Sequence, residues 1–191
     1  MKKIEGIKIF KNEIFKDKRG HFMEVYKKNK ISTKELIFNC YSYSKKNVIR
    51  GLHIQRKNPQ AKFLTVLKGS IFDVAVDLRK NSKTFKKYFS IILNHKKYSS
   101  IYIPEGFAHG FCGLDKENII FYSCSKYRNK NSETGIKWDD EDLKINWPIK
   151  IRDVANVITT KYKYWNRLPN NRAEPNKISP KAADTTVRLI M

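Results

Sequence analysis

The sequence is poor in several features, and each scarcity removes a class of protein. Three cysteines (Cys40, Cys112 and Cys124) stand in 191 residues without metal-ligand spacing. That excludes a disulfide-stapled scaffold or a zinc knuckle. No run approaches the roughly 18 apolar residues of a membrane-spanning helix. Residues 1–6, MKKIEG, lack the apolar core of a secretory leader, so a cytoplasmic protein without a membrane partner is expected. Helix signals are few; the best, Ser32-Thr33-Lys34-Glu35-Leu36, predicts one short helix. Acidic residues are scarce as well: 18 Asp and Glu face 40 Lys and Arg, a formal net charge of +22. The basic residues fall in short clusters at apparent turns, such as Lys27-Lys28, Lys45-Lys46, Lys86-Lys87 and Lys96-Lys97. No helix carries a basic stripe and no nucleic-acid motif is spelled out, so this reads as a solvated surface rather than a nucleic-acid footprint. An anionic small ligand such as a nucleotide diphosphate suits the charge equally well.

What the chain does have is apolar and aromatic bulk, 40% and 13% of residues. At this length roughly two-thirds of the unfolded surface can be buried, so a real core is expected. Short alternating runs separated by turn residues recur through residues 1–165 and predict one all-β domain, a sandwich or jelly roll. Residues 63–67 and 71–78 flank Lys68-Gly69-Ser70 and predict a hairpin. In the second run Phe72, Val74, Val76 and Leu78 share one face, and Ile71, Asp73, Ala75 and Asp77 the other. Residues 88–93, 101–103, 107–113 and 118–125 predict further strands. Residues 166–191 hold three of the six prolines and no aromatic residue; they predict an irregular tail.

Two histidines stand in suggestive company. In Arg50-Gly51-Leu52-His53-Ile54-Gln55 strand alternation sets Gly51, His53 and Gln55 on one side and Arg50, Leu52 and Ile54 on the other. His109 follows Ile103-Pro104-Glu105-Gly106-Phe107-Ala108, among small residues that let backbone and ligand approach. Asp73, on an otherwise apolar face, needs a cationic or hydrogen-bonding partner. A lone strand histidine is more often structural than catalytic, and by themselves these residues leave both readings open.

The blocks 17–24, 50–55, 69–79, 103–111 and 135–148, taken in order, resemble the dTDP-4-dehydrorhamnose 3,5-epimerase family. The resemblance implies a cupin-type jelly roll that works as a homodimer, with no metal or cofactor, on a nucleotide-diphosphate sugar. The family removes a proton beside the C4 ketone and returns one from the opposite face, inverting C3, C5 or both. By that resemblance His53 matches the base, Lys62 the enolate-stabilising cation, His109 the second histidine and Tyr122 the acid. Asp73 would position Lys62 or His109. Arg50 and Arg19 match diphosphate or sugar clamps, and Glu24, Phe22, Gln55 and Arg128 further substrate contacts. The residue types suit the chemistry. Imidazole titrates near neutrality, a fixed cation stabilises an enolate oxygen, and guanidinium grips phosphate in bidentate fashion.

Three departures stand out. Where the family carries the aspartate that orients its base, this sequence reads Tyr162, with Asp153 the nearby alternative. The tyrosine pair after the acid reads Tyr127-Arg128. Phe38 and Cys40 occupy places where Gln and Asn contact the nucleotide, which leaves open a dTDP-linked hexose or a GDP-linked 4-keto heptose. Two other readings remain: a catalytically impaired nucleotide-sugar-binding protein, and a metal-dependent cupin using His53 and His109. The four histidines (His21, His53, His95 and His109) lack the closely spaced pair that such metal sites usually employ.

Overall fold

The structure, a computed structural model, describes residues 4–28, 35–149 and 156–158. Among these there is no α-helix; strands carry the fold, with 3-10 turns at His95–Lys97 and Lys130–Ser132. A five-stranded antiparallel sheet runs in the order β1 (Lys8–Lys11), β9 (Ser99–Ile103), β6 (Lys62–Lys68), β11 (Glu117–Cys124), β4 (Phe38–Lys45). The facing sheet runs β12 (Glu133–Gly135), β5 (Val48–Gln55), β10 (Phe107–Gly113), β7 (Ser70–Asp77), β8 (Tyr88–Asn94). A short parallel strand, β13 (Asn156–Ile158), also pairs with β5. The hairpin β2 (Ile14–Asp17) and β3 (Gly20–Met23) stands apart. This is the all-β, cupin-type jelly roll that the alternating runs and the family resemblance imply. The short helix expected at residues 32–36 and the tail at 166–191 lie mostly or wholly outside the described residues.

Burial follows the alternation. Ile71 and Ala75 of β7 enter the core between the sheets with Leu64, Val66, Ile101, Phe111 and Ile120. Val74 and Val76 face a second core behind the sheet, closed by Ile136, Trp138, Leu143 and Trp147. Trp147 donates its indole N–H to the carbonyl of Trp138 at 2.8 Å, which satisfies the one polar atom that its burial would otherwise strand. The sheet carrying β5, β7 and β10 is therefore packed on both faces.

One expectation fails. β6 and β7 do not form a hairpin: β6 pairs with β9 and β11, β7 with β8 and β10. Gly69 instead turns the chain from one sheet to the other, and Ser70 N–H donates to Asn118 Oδ1 at 3.1 Å to anchor the corner. The reason lies in the packing: with two apolar faces, β7 belongs in the sheet that is covered on both sides.

Candidate active site

A cavity of about 300 Å³ opens between the two sheets, and both contribute walls. From the β5–β10–β7 side come Arg50, His53 and His109. His109 pairs across the ladder with His53 on one side and Ala75 on the other. Its Nε2–H donates to Asp73 Oδ2 at 2.7 Å, in a pair whose side chains are 5% and 0% exposed. Asp73 Oδ1 has no hydrogen-bond partner among the described residues.

Arg50 and His53 sit on opposite faces if β5 alternates regularly, yet both line the cavity. A bulge explains this. The register moves from His109↔His53 to Phe111↔Arg50, so β5 spends one residue more than β10 between these pairs. An extra residue turns the side chains that follow to the other face. Gly51 lies in the bulge at φ +112°. A Cβ there would stand 2.6 Å from both the Gly110 Cα and the His109 carbonyl oxygen, so only glycine lets the strands approach. Arg50 is then held by Ser44 Oγ, which accepts from Nε at 2.7 Å, and by the Tyr43 carbonyl at 3.0 Å.

The opposite wall comes from β4, β6 and β11. Tyr122 faces Cys40 on β4 and Leu64 on β6. Its phenol is hydrogen-bonded to Ser42 Oγ at 3.2 Å, and burial raises its pKa well above that of an ordinary tyrosine. Lys62, at the head of β6, also reaches the cavity. Burial lowers its pKa, against the opposing pull of Cys124, Glu133 and Asp73. Among the described residues Lys62 takes part in no salt bridge, and its side chain lines the cavity.

His53 is depressed to about 4, first by burial and then by Lys62, His109 and Arg128, with Glu133 acting the other way. At neutral pH it is an uncharged imidazole, able to accept a proton. Cys40 is lowered to about 7, chiefly by its hydrogen bond with Cys124, while burial opposes and Lys62 and Arg128 assist. Burial pushes Cys112, outside the cavity, up to about 11.

The remaining candidates divide. Phe38, Cys40 and Arg128 line the cavity, as does Gln55. The Gln55 amide is nonetheless committed to the neighbouring loop: it donates to the carbonyls of Asn58 and Tyr127 and accepts from Asn129 N–H at 2.7 Å. Arg19, Phe22 and Glu24 do not line the cavity of their own chain. Arg19 is exposed and paired with Asp17 at 2.6 Å. Phe22 is 64% exposed on the β2–β3 hairpin, and Glu24 pairs with Lys27. Asp153 and Tyr162 lie outside the described residues. Sequence reasoning missed Glu133, which lines the cavity with Oε1 3.3 Å from His53 Nδ1. Its signal was weak but present: Glu133-Thr134-Gly135 is a short extended run beside the Ile136–Trp138 block. Among the described residues no three His, Cys, Asp or Glu are grouped to hold a metal ion.

Comparison with known proteins gives one consistent result. Residues 1–169 match the family model described as dTDP-4-dehydrorhamnose 3,5-epimerase. A dTDP-4-dehydrorhamnose 3,5-epimerase of Methanothermobacter thermautotrophicus is 39% identical, covering 88% of this chain and 92% of the relative. The Salmonella typhimurium enzyme of the same name is 40% identical over 76% of this chain and 82% of its own. Among solved structures, the dTDP-6-deoxy-D-glucose-3,5-epimerase of Legionella pneumophila, in complex with dTDP-4-keto-L-rhamnose, superposes with a TM-score of 0.77. It is 33% identical, over 88% of this chain and 92% of that one. The Bacillus anthracis dTDP-4-dehydrorhamnose 3,5-epimerase, with TDP and PPi bound, has a TM-score of 0.73 and 36% identity, over 78% of this chain and 91% of that one.

Proposed function

Since the chain belongs to the dTDP-4-dehydrorhamnose 3,5-epimerase family, we propose that its cavity inverts C3 and C5 of a dTDP-linked 4-keto-6-deoxyhexose through an enolate. The protein is an isomerase acting on a nucleotide-linked 4-keto sugar. The observation that carries the assignment of roles is that His53 and Tyr122 line one cavity from opposite sheets, with Lys62 on the same wall as Tyr122.

His53, uncharged at neutral pH, takes the proton from the carbon next to the ketone. The electron pair left behind moves onto the C4 oxygen, where Lys62 meets the developing negative charge in a site shielded from bulk water. His109, held by Asp73, supplies a second polar contact near that oxygen. The Tyr122 phenol, kept protonated by its raised pKa, gives a proton to the far face of the carbon. Exchange with solvent then resets imidazolium and phenolate. Because C3 and C5 both flank C4, one pair of groups serves both centres after a ring flip. Arg50 and Arg128 supply cationic contacts for the diphosphate.

A homodimer belongs to this reading. Arg19 and Phe22 stand on a hairpin away from their own chain's cavity, so substrate roles for them require a second copy. Mixing Arg19→Ala with His53→Ala protein, each impaired alone, then regenerates activity, because a mixed dimer holds one intact site. Mixing that restores nothing removes the hairpin's role. The three described cysteines are free thiols, which accords with a cytoplasmic location.

The deciding experiment is incubation in heavy water with a dTDP-linked 4-keto-6-deoxyhexose and, separately, a GDP-linked 4-keto heptose. The expected result is deuterium at C3 and C5 of the dTDP-sugar, abolished by His53→Ala. Labelling of the heptose alone would move the substrate class; no label in either sugar would overturn the enzymatic reading.

A further inference from the structure

The cavity contains a carboxylate to which no role has been given. Glu133 lies on β12, antiparallel to β5, with Glu133 opposite Gln55 and Gly135 opposite His53. Its Oε1 is 3.3 Å from His53 Nδ1, and the two side chains are only 16% and 22% exposed. The contact is at ion-pair distance but off the line of a hydrogen bond, and Nδ1 has no hydrogen-bond partner among the described residues. The other carboxylate oxygen, Oε2, accepts from Arg128 Nε at 2.9 Å, which tethers the group. We propose that Glu133 is the positioning residue for His53: its carboxylate accepts the Nδ1–H, so that Nε2 presents its lone pair to the sugar. The inference rests on the reading of His53 as the base.

The electrostatics need such a partner. Lys62 on β6, His109 on β10 and Arg128 in the loop before β12 all disfavour a charged His53, whereas Glu133 favours it. When Nε2 takes the sugar's proton, the new imidazolium forms among those cations, and a carboxylate on Nδ1 lowers the cost. A carboxylate on one ring nitrogen also selects the tautomer in which the other is the acceptor. In this sequence Tyr162 stands at the place the family resemblance gives to an orienting aspartate. Glu133 reaches the imidazole from β12, held by its ladder pairing with β5.

The test is Glu133→Gln, with Glu133→Asp as a second variant that keeps the charge and is expected to fold. Nitrogen-15 NMR of the imidazoles, with His53 assigned from His53→Ala, reads the tautomer without any substrate. The parent and Glu133→Asp are expected to show His53 protonated on Nδ1 at neutral pH. Glu133→Gln is expected to show mixed tautomers and a still lower titration midpoint. In turnover, kcat falls about 10- to 100-fold in the Gln variant with KM little changed, and Glu133→Asp recovers part of the loss. An unchanged titration midpoint in Glu133→Gln, or Nδ1 unprotonated in both the parent and Glu133→Asp, overturns the proposal. A parent protein that exchanges no deuterium into any sugar would instead overturn the function of the site and leave the tautomer result standing, so the two failures are separable.

Discussion

Gly51→Ala tests the geometry on which the site depends, and its cost can be worked from two causes. The first is conformational: φ at Gly51 is +112°, and holding an L side chain in that region costs on the order of 1–2 kcal/mol. The second is steric: the new Cβ meets the Gly110 Cα and the His109 carbonyl oxygen at 2.6 Å. Both are backbone atoms that cannot rotate away, and overpacking of this kind costs about 1–3 kcal/mol. Gly20 separates the two, because it too has a positive φ, +136°, but nothing lies within 4 Å of its Cβ position. Gly20→Ala therefore loses about 1–2 kcal/mol and Gly51→Ala about 2–5 kcal/mol. At about 2–4 °C per kcal/mol for a chain of this length, Tm falls by roughly 2–8 °C and 4–20 °C respectively. Gly110→Ala, whose Cβ meets the Arg50 carbonyl at 2.6 Å, pays the steric part alone, and the double variant with Gly51→Ala costs less than the sum because one widening of the strands serves both. Thermal unfolding at matched protein concentration measures all four. Gly51→Ala as stable as Gly20→Ala would refute the close β5–β10 approach, and with it the reason Arg50 and His53 share a wall.

Lys62→Ala is expected to lower kcat about 10²- to 10³-fold, as for loss of other oxyanion donors, with the fold intact by circular dichroism; a loss under about tenfold would remove it from enolate stabilisation. Cys40, lowered to about 7, should be alkylated by iodoacetamide with half-maximal rate near that pH and be protected by a nucleotide sugar. Buried Cys112, raised to about 11, should stay unreactive; alkylation of Cys40 indifferent to ligand would place it outside the occupied space. Burial tends to raise Asp77, but Arg79, Ser82 and Thr84 together hold it down at about 2. A carboxylate depressed on folding adds stability that is complete above about pH 4 and disappears as pH falls through the folded value. Asp77→Asn is thus expected to cost about 2 kcal/mol at neutral pH and to flatten the acid limb of the stability profile, read by urea unfolding at several pH values.

The alternation of β7 was legible residue by residue, because a strand between two cores repeats apolar side chains on both faces around the buried Asp73 and ends at the buried Asp77. The limits of β10 were legible too, set off by Pro104-Glu105-Gly106. Sheet membership was not. The turn Lys68-Gly69-Ser70 looks the same whether it closes a ladder or carries the chain across the sandwich, and only distant partners of β6 and β7 distinguish the two. The shared wall of Arg50 and His53 was hidden for a related reason: a bulge is a disagreement between two strands, and one strand read alone cannot disclose it. Glu133 escaped because a glutamate in a charged, turn-rich stretch resembles any solvated residue until β12 is seen paired with β5.

The two-walled cavity bears on stereochemistry in a way that labelling can expose. Hydrogen lost to the β5 wall and regained from the β11 wall leaves an inverted centre. Hydrogen lost to and regained from the same imidazole leaves the starting sugar unaltered except for its isotope. At early times, before product reverts, the fraction of unconverted sugar that has nonetheless acquired deuterium reports the intermediates that exchanged their proton and turned back before the opposite wall answered.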